Sequence, residues 1–209
     1  MSVQKKIALG MLKVGAVELN ATDLFTWASG IKSPIYCDTR LTISDVTVRK
    51  QIAQGLAQNI KEFFPETEVV AGTATAGIPH AAWVADVLEM PMVYVRSKAK
   101  GHGRGKQIEG KFEQGQKMVV VEDIVSTGGS SITAVEALRA AGCEVVGVVC
   151  VYTYNLPNAE QAFEEAGVKY VSLTNFDYLV EAAIETGAIE EKDIPFLQEW
   201  HAKLKAGEL

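Results

Sequence analysis

Two rhythms of apolar residues alternate along this chain. Val3, Ile7, Met11 and Val14 recur at three- and four-residue spacing, widened by Ala8 and Leu12, and predict an amphipathic helix. The spacing returns in Val48, Ile52, Leu56, Ile60 and Phe64, with Ser44 and Asp45 as candidate N-caps and Pro65 as the stop. Short runs of a different kind follow: a strand opening at Val69, another over Pro91 to Val95, then Val119 to Val121, Glu144 to Tyr152, and Lys169 to Leu173. Rich in β-branched residues and bounded by small or turn-forming ones, they read as buried parallel strands. Helices are predicted over 80–88, 131–141, 158–166 and 178–186, and a last one over 193–205 carries Phe196, Leu197, Trp200 and Leu204 as its apolar stripe. Alternating strands and helices predict an α/β fold with a mostly parallel central sheet flanked by helices. In such a fold ligands sit at the carboxyl ends of the strands.

One strand ends unusually. Val119, Val120 and Val121 lead into Glu122, Asp123, Ile124 and Val125, and then into the small-residue loop Ser126, Thr127, Gly128, Gly129, Ser130. With so little side-chain bulk, backbone N–H groups can converge on a phosphate at a helix N-terminus, helped by hydroxyl donors. Glu122 and Asp123 would repel that phosphate, so hydroxyls such as a ribose diol are their natural partners. Together the pair and the loop point to a ribose 5-phosphate. A Walker-type nucleotide loop fails on chemistry: the nearest match, Gly105 to Phe112, has an aromatic ring where a magnesium-binding hydroxyl is required.

Three further stretches bear on function. The loop of Thr73, Ala74, Thr75, Ala76 and Gly77 offers backbone N–H groups and hydroxyls at the end of the strand opening at Val69. Residues 25–40, punctuated by Gly30 and Pro34, suggest a hairpin or loop-strand unit outside the main alternation, mixing ring faces, hydroxyls and cations as a planar anionic heterocycle needs. Residues 96–110 hold five cations and a histidine among four glycines with almost nothing apolar, so the segment reads as a lid that is mobile until a ligand orders it. His80 reads as a helix-start residue and His201 as an exposed one.

The segment Val119 to Ser130 resembles the phosphoribosyl pyrophosphate (PRPP) motif of type I phosphoribosyltransferases. Ser29-Gly30 followed by Lys32-Ser33-Pro34 resembles the N-terminal hood of orotate phosphoribosyltransferases. Arg96, Lys100 and His102 match the loop of that family that closes over PRPP from the neighbouring subunit. The resemblance implies a single domain over 1–209, with the hood formed mainly by about 1–43 and a possible C-terminal contribution. It implies transfer of the phosphoribosyl group to orotate in pyrimidine biosynthesis, with Lys100 and His102 catalytic. PRPP would be bound by Arg96, Lys100, His102, Glu122, Asp123, Ile124, Val125, Ser126, Thr127, Gly128, Gly129 and Ser130, and orotate by Ser126, Tyr36 and Arg40. Magnesium is implied on pyrophosphate and ribose oxygens through waters, with no dedicated protein metal site, and a homodimer with shared sites is expected. Some positions depart from the family: Ala28, Ala76 and Ser97 stand where many relatives have lysine, and Tyr154 stands near an arginine that meets the orotate carboxylate in some. Arg40 is the candidate to replace it. A transferase for another base and a PRPP-sensing regulator remain the alternatives.

Composition narrows the partners. The 209 residues carry a net charge of −6, which argues against nucleic acid as the main partner, and no apolar run is long enough for a membrane span. Cys37, Cys143 and Cys150 are odd in number and lack metal-ligand spacing, so free thiols and a cytoplasmic protein are expected.

Overall fold

The computed structural model describes residues 1–27, 30–98 and 107–209. In chain order its elements are α1 (Val3–Lys13), β1 (Val17–Leu19), β2 (Phe25–Thr26), β3 (Lys32–Ser33), β4 (Ile35–Cys37), α2 (Val46–Phe63), β5 (Val69–Thr73), α3 (Gly77–Leu88), β6 (Met92–Val95), β7 (Ile108–Glu109), β8 (Lys117–Val125), α4 (Gly129–Ala140), β9 (Glu144–Thr153), α5 (Pro157–Glu165), β10 (Tyr170–Asn175), α6 (Phe176–Glu185) and α7 (Ile194–Ala206). A tight helical turn over Thr39–Ser44 leads into α2, and Asp45 caps that helix by accepting from the Thr47 and Val48 N–H groups at 2.9 Å each. Asn175 does the same for α6, which is why that helix begins two residues before its predicted start. None of the helices among the described residues is long and apolar enough to cross a membrane.

Among the described residues six strands form the central sheet in the order β10-β9-β8-β5-β6-β7, parallel except for β7, which runs antiparallel to β6. Alternate side chains of β8 feed two cores: Val119 and Val121 pack on one face, with α1, α2, α6 and α7, and Met118 and Val120 on the other, with α4 and α5. Burial on both faces is why the strand reads as an unbroken apolar run. The β8–β9 register slips at the β8 start, where Met118 pairs with Val145 but Val119 with Gly147. Gly147 lies under the Phe64 ring: a Cβ there would sit 2.1 Å from the ring edge.

The N-terminal strands stand outside this sheet. β1 pairs with β4, and β2 with β3 as the hairpin expected around Gly30. Of the segment 96–110, read as a lid with almost nothing apolar, residues 99–106 lie outside the described residues, and the two ends are joined to each other and to the sheet. Ile108 is buried, β7 pairs with β6, the Arg96 N–H donates to the Gln107 carbonyl at 2.9 Å, and Arg96 pairs with Glu109 at 3.6 Å. One apolar residue at the far end suffices to anchor that end to the sheet.

The last helix also differs. Phe196 is 39% exposed, while His201, expected to face solvent, is 5% exposed and joins Leu197 and Trp200 on the buried face. The His201 ring stacks on Phe176 with centroids 4.0 Å apart, and its Nε2 lies 2.7 Å from the Tyr154 carbonyl. A carbonyl only accepts, so that nitrogen carries the proton. His80 is in the first turn of α3, as expected, yet it is 1% exposed. Cys143 and Cys150 are buried and Cys37 half-buried, all three as free thiols.

Candidate active site

The carboxyl ends of β5, β6 and β8 converge on one edge of the sheet, and two helices begin there. α1, α2 and α6 are capped by their own Ser2, Asp45 and Asn175 side chains; α3 and α4, like α5 and α7, have no side-chain cap, and of these α3 and α4 follow β5 and β8 at this edge. Their first N–H groups therefore face the edge without an intrahelical partner, and the dipoles add positive potential. Two geometric constraints keep these turns small. Gly128 adopts φ +82°, and a Cβ on it would press the Phe163 ring at 2.9 Å; a Cβ on Gly77 would meet the Val121 carbonyl at 2.5 Å. The peptide between Ala74 and Thr75, in the loop leading to α3, is cis.

Between these ends lies a cleft of about 150 Å³ bounded by Thr73, Ala74, Arg96, Ser97, Gly129 and Ser130. The small-residue loops after β5 and β8 thus meet in one place. Thr73 lends a buried hydroxyl with no protein partner. Ser126, Thr127, Gly129 and Ser130 are exposed around the turn, Gly128 is buried, and Ile124 and Val125 turn their side chains into the two cores, leaving only their backbone to face a ligand. Lys100 and His102 lie outside the described residues.

The two carboxylates of β8 differ sharply in environment. Glu122 is 4% exposed; Ser130 Oγ and Ser131 Oγ donate to its Oε2 at 2.9 and 3.2 Å, and the Asp123 N–H donates to its Oε1 at 3.1 Å. It ties the end of β8 to the first turn of α4. Burial, then the hydrogen bond and charge of Asp123, push its carboxyl up to about 8, with the Ser130 hydroxyl opposing. Asp123 is only half-buried, and Thr39 Oγ1 donates to its Oδ2. Of the pair, Asp123 is the one open to a ligand.

Behind them lies His80, with both ring nitrogens buried and unpartnered. Burial lowers its basicity to about 4, against the pull of the Asp123 charge. Neither Thr39 nor His80 was foreseen as part of the site. Thr39 is 84 residues from Asp123 in sequence, and no local pattern joins them.

The N-terminal strands and the turn after them carry Tyr36 and Arg40, expected from the sequence to bind the base. Tyr36 is 44% exposed, with its ring 5.8 Å from that of Phe25. Arg40 is held by Asp38 through two bonds, Nε to Oδ1 at 2.6 Å and Nη2 to Oδ2 at 2.8 Å, and the pair lowers the Asp38 carboxyl while raising the guanidinium. Tyr36 and Asp123 add smaller electrostatic effects that raise the Arg40 guanidinium further.

Helix starts without side-chain caps beside an acidic strand end, at the carboxyl edge of a mostly parallel sheet, fit the fold of a type I phosphoribosyltransferase. Residues 42–181 match the phosphoribosyl transferase domain family. The chain belongs, more particularly, to the orotate phosphoribosyltransferases: it is 59% identical over 198 residues to the orotate phosphoribosyltransferase of Enterococcus faecalis, covering 95% of this chain and 94% of that one. Among solved structures it is similar to orotate phosphoribosyltransferase from Aeropyrum pernix (29% identity, TM-score 0.75, 88% of this chain and 99% of that one). It is also similar to the Mycobacterium tuberculosis enzyme in complex with PRPP (27% identity, TM-score 0.65, 84% and 98%).

Proposed function

We propose that this chain transfers the phosphoribosyl group of PRPP to orotate, giving orotidine 5′-monophosphate and pyrophosphate for pyrimidine biosynthesis. The observation that carries the reading is the pair of uncapped helix N-termini flanking the acidic end of β8. As the bond from the ribose C1 to pyrophosphate breaks, its electron pair leaves with pyrophosphate. The orotate N1 gives up its proton to the departing pyrophosphate or to water and supplies the pair for the new bond, and the sugar passes through an oxocarbenium-like state. The turn Ser126 to Ser130 holds the 5′-phosphate with backbone N–H groups and hydroxyls, while the loop before α3 and Arg96 face pyrophosphate. Asp123 accepts from the ribose hydroxyls directly, and Glu122 acts by holding Ser130 and Ser131. Lys100 and His102 neutralise charge growing on the leaving group. Tyr36, Ser126 and Arg40 contact orotate.

Asp123, a half-buried carboxylate at the end of β8, fits a magnesium ion carried in by the substrate through its waters. When bound, the ion offsets charge on pyrophosphate. A cytoplasmic homodimer that shares its sites completes the reading, and inactive Lys100→Ala and Asp123→Asn chains should partly restore activity when mixed.

The test is loss of orotate absorbance with PRPP and magnesium, beside Lys100→Ala and with uracil, adenine and hypoxanthine as alternative bases. Orotate consumption that needs PRPP and collapses in the variant is expected. Turnover of another base instead would reassign the substrate, and PRPP binding without any turnover would make the protein a sensor.

A further inference from the structure

The C-terminal helix is bonded to the N-terminal strands on one side and to the end of the central sheet on the other. On the hood side, Trp200 Nε1 donates to the Lys32 carbonyl at 2.9 Å across 168 residues of sequence, and its ring meets Trp27 edge-on with centroids 5.7 Å apart. Trp27 in turn donates through Nε1 to the Ile35 carbonyl at 3.0 Å, directly before Tyr36. On the sheet side, the protonated Nε2 of His201 lies 2.7 Å from the carbonyl of Tyr154, just past the end of β9. The Tyr154 N–H donates to the Val125 carbonyl at 3.4 Å, directly before Ser126. Trp27 also touches the Tyr154 ring at 5.5 Å, which closes the circuit.

We infer that α7 is a clamp, and that Trp200 and His201 are positioning residues setting the gap between Tyr36 on the hood and Ser126 on the sheet. This rests on the reading of that gap as the orotate site. The physical reason is leverage. β2, β3 and β4 are two or three residues long and lie outside the central sheet, so their own ladders fix them weakly. Two adjacent residues on one rigid helix, each bonded to a main-chain carbonyl, tie them to the sheet. Neither residue touches the cleft bounded by Arg96 and Ser130 where pyrophosphate and phosphate are held. The clamp therefore acts on the base and not on PRPP.

The separating experiment compares Trp200→Phe, His201→Leu and His201→Gln. Glutamine places an N–H where Nε2 stands, and leucine does not. The expected result is a KM for orotate raised about tenfold in Trp200→Phe and His201→Leu, a KM for PRPP changed less than twofold, and near-normal values in His201→Gln. Amide exchange over 32–37 should quicken in the first two variants while that of β8 does not. Parallel rises in both KM values, an unaltered orotate KM, or unchanged exchange over 32–37 would overturn the clamp. If the wild-type protein consumed no orotate, the proposed function would fall, and the exchange measurement would still decide whether α7 holds the hood.

Discussion

Thr39 gives its hydroxyl proton to the half-buried carboxylate of Asp123, joining the helical turn after the hood strands to the end of β8. The Thr39 backbone is held too, since its carbonyl accepts from Thr42 Oγ1 at 2.6 Å. In the proposed function, a carboxylate oriented in this way keeps other lone pairs for the ribose hydroxyls.

Thr39→Val keeps shape and removes that donor. A hydrogen bond to a charged group contributes about 1.5–3 kcal/mol, so kcat/KM for PRPP should fall roughly ten- to a hundredfold. Thr39→Ser should retain most of it. Steady-state kinetics on both variants checks this, and equal losses would show that the methyl group, not the hydroxyl, matters.

Glu122 makes a stability prediction with a definite sign. Its carboxyl is raised to about 8 in the folded protein from an unfolded value of 4.5, by burial first and Asp123 next. A raised carboxyl binds more protons folded than unfolded, so its contribution is complete below pH 4.5 and is lost as pH rises through 8. Glu122→Gln cannot titrate, and its amide oxygen can still accept from Ser130. Relative to wild type it should gain stability steadily across that window, read as the difference in urea midpoints at fixed ionic strength.

His80 has the opposite slope. Its folded value is lowered to about 4 from 6.5 by burial, so the unfolded chain binds more protons between those values. Stability from this residue is complete above pH 6.5 and is lost as pH falls through 4, on the order of 3 kcal/mol in all. Acid denaturation of His80→Leu should lack that part of the decline. A variant as acid-sensitive as wild type would mean that His80 charges without cost.

Gly147 is required by contact with Phe64. In Gly147→Ala the new methyl would overlap a ring that is 2% exposed and has little room to turn. Overpacking of this kind costs about 1–3 kcal/mol. Phe64→Leu should cost stability alone yet restore part of it in the double variant. Chemical denaturation of the four-member cycle measures this coupling.

Much of this was legible in the sequence for a local reason. The β-branched runs, the spacing-four helices and the turn Ser126 to Ser130 are contiguous, and their period or residue type states their geometry. The composition of the cradle likewise states its chemistry, since only small residues let backbone N–H groups converge. Other features carried no such signal. A histidine on a terminal helix reads as exposed until Phe176 and the Tyr154 carbonyl are known to cover it. Adjacent acidic residues read as equivalent until the pleat sends Glu122 inward to Ser130 and Ser131 and leaves Asp123 half-buried. The sequence by itself determined the order of strands and helices and the phosphate-binding turn, because these depend on neighbours along the chain. Only the tertiary structure decided which carboxylate is buried and which is left partly open, that Thr39 bonds to the latter, and that Trp200 and His201 bond to Lys32 and Tyr154. Those contacts bridge 84, 168 and 47 residues, and no periodicity encodes what packing alone brings together.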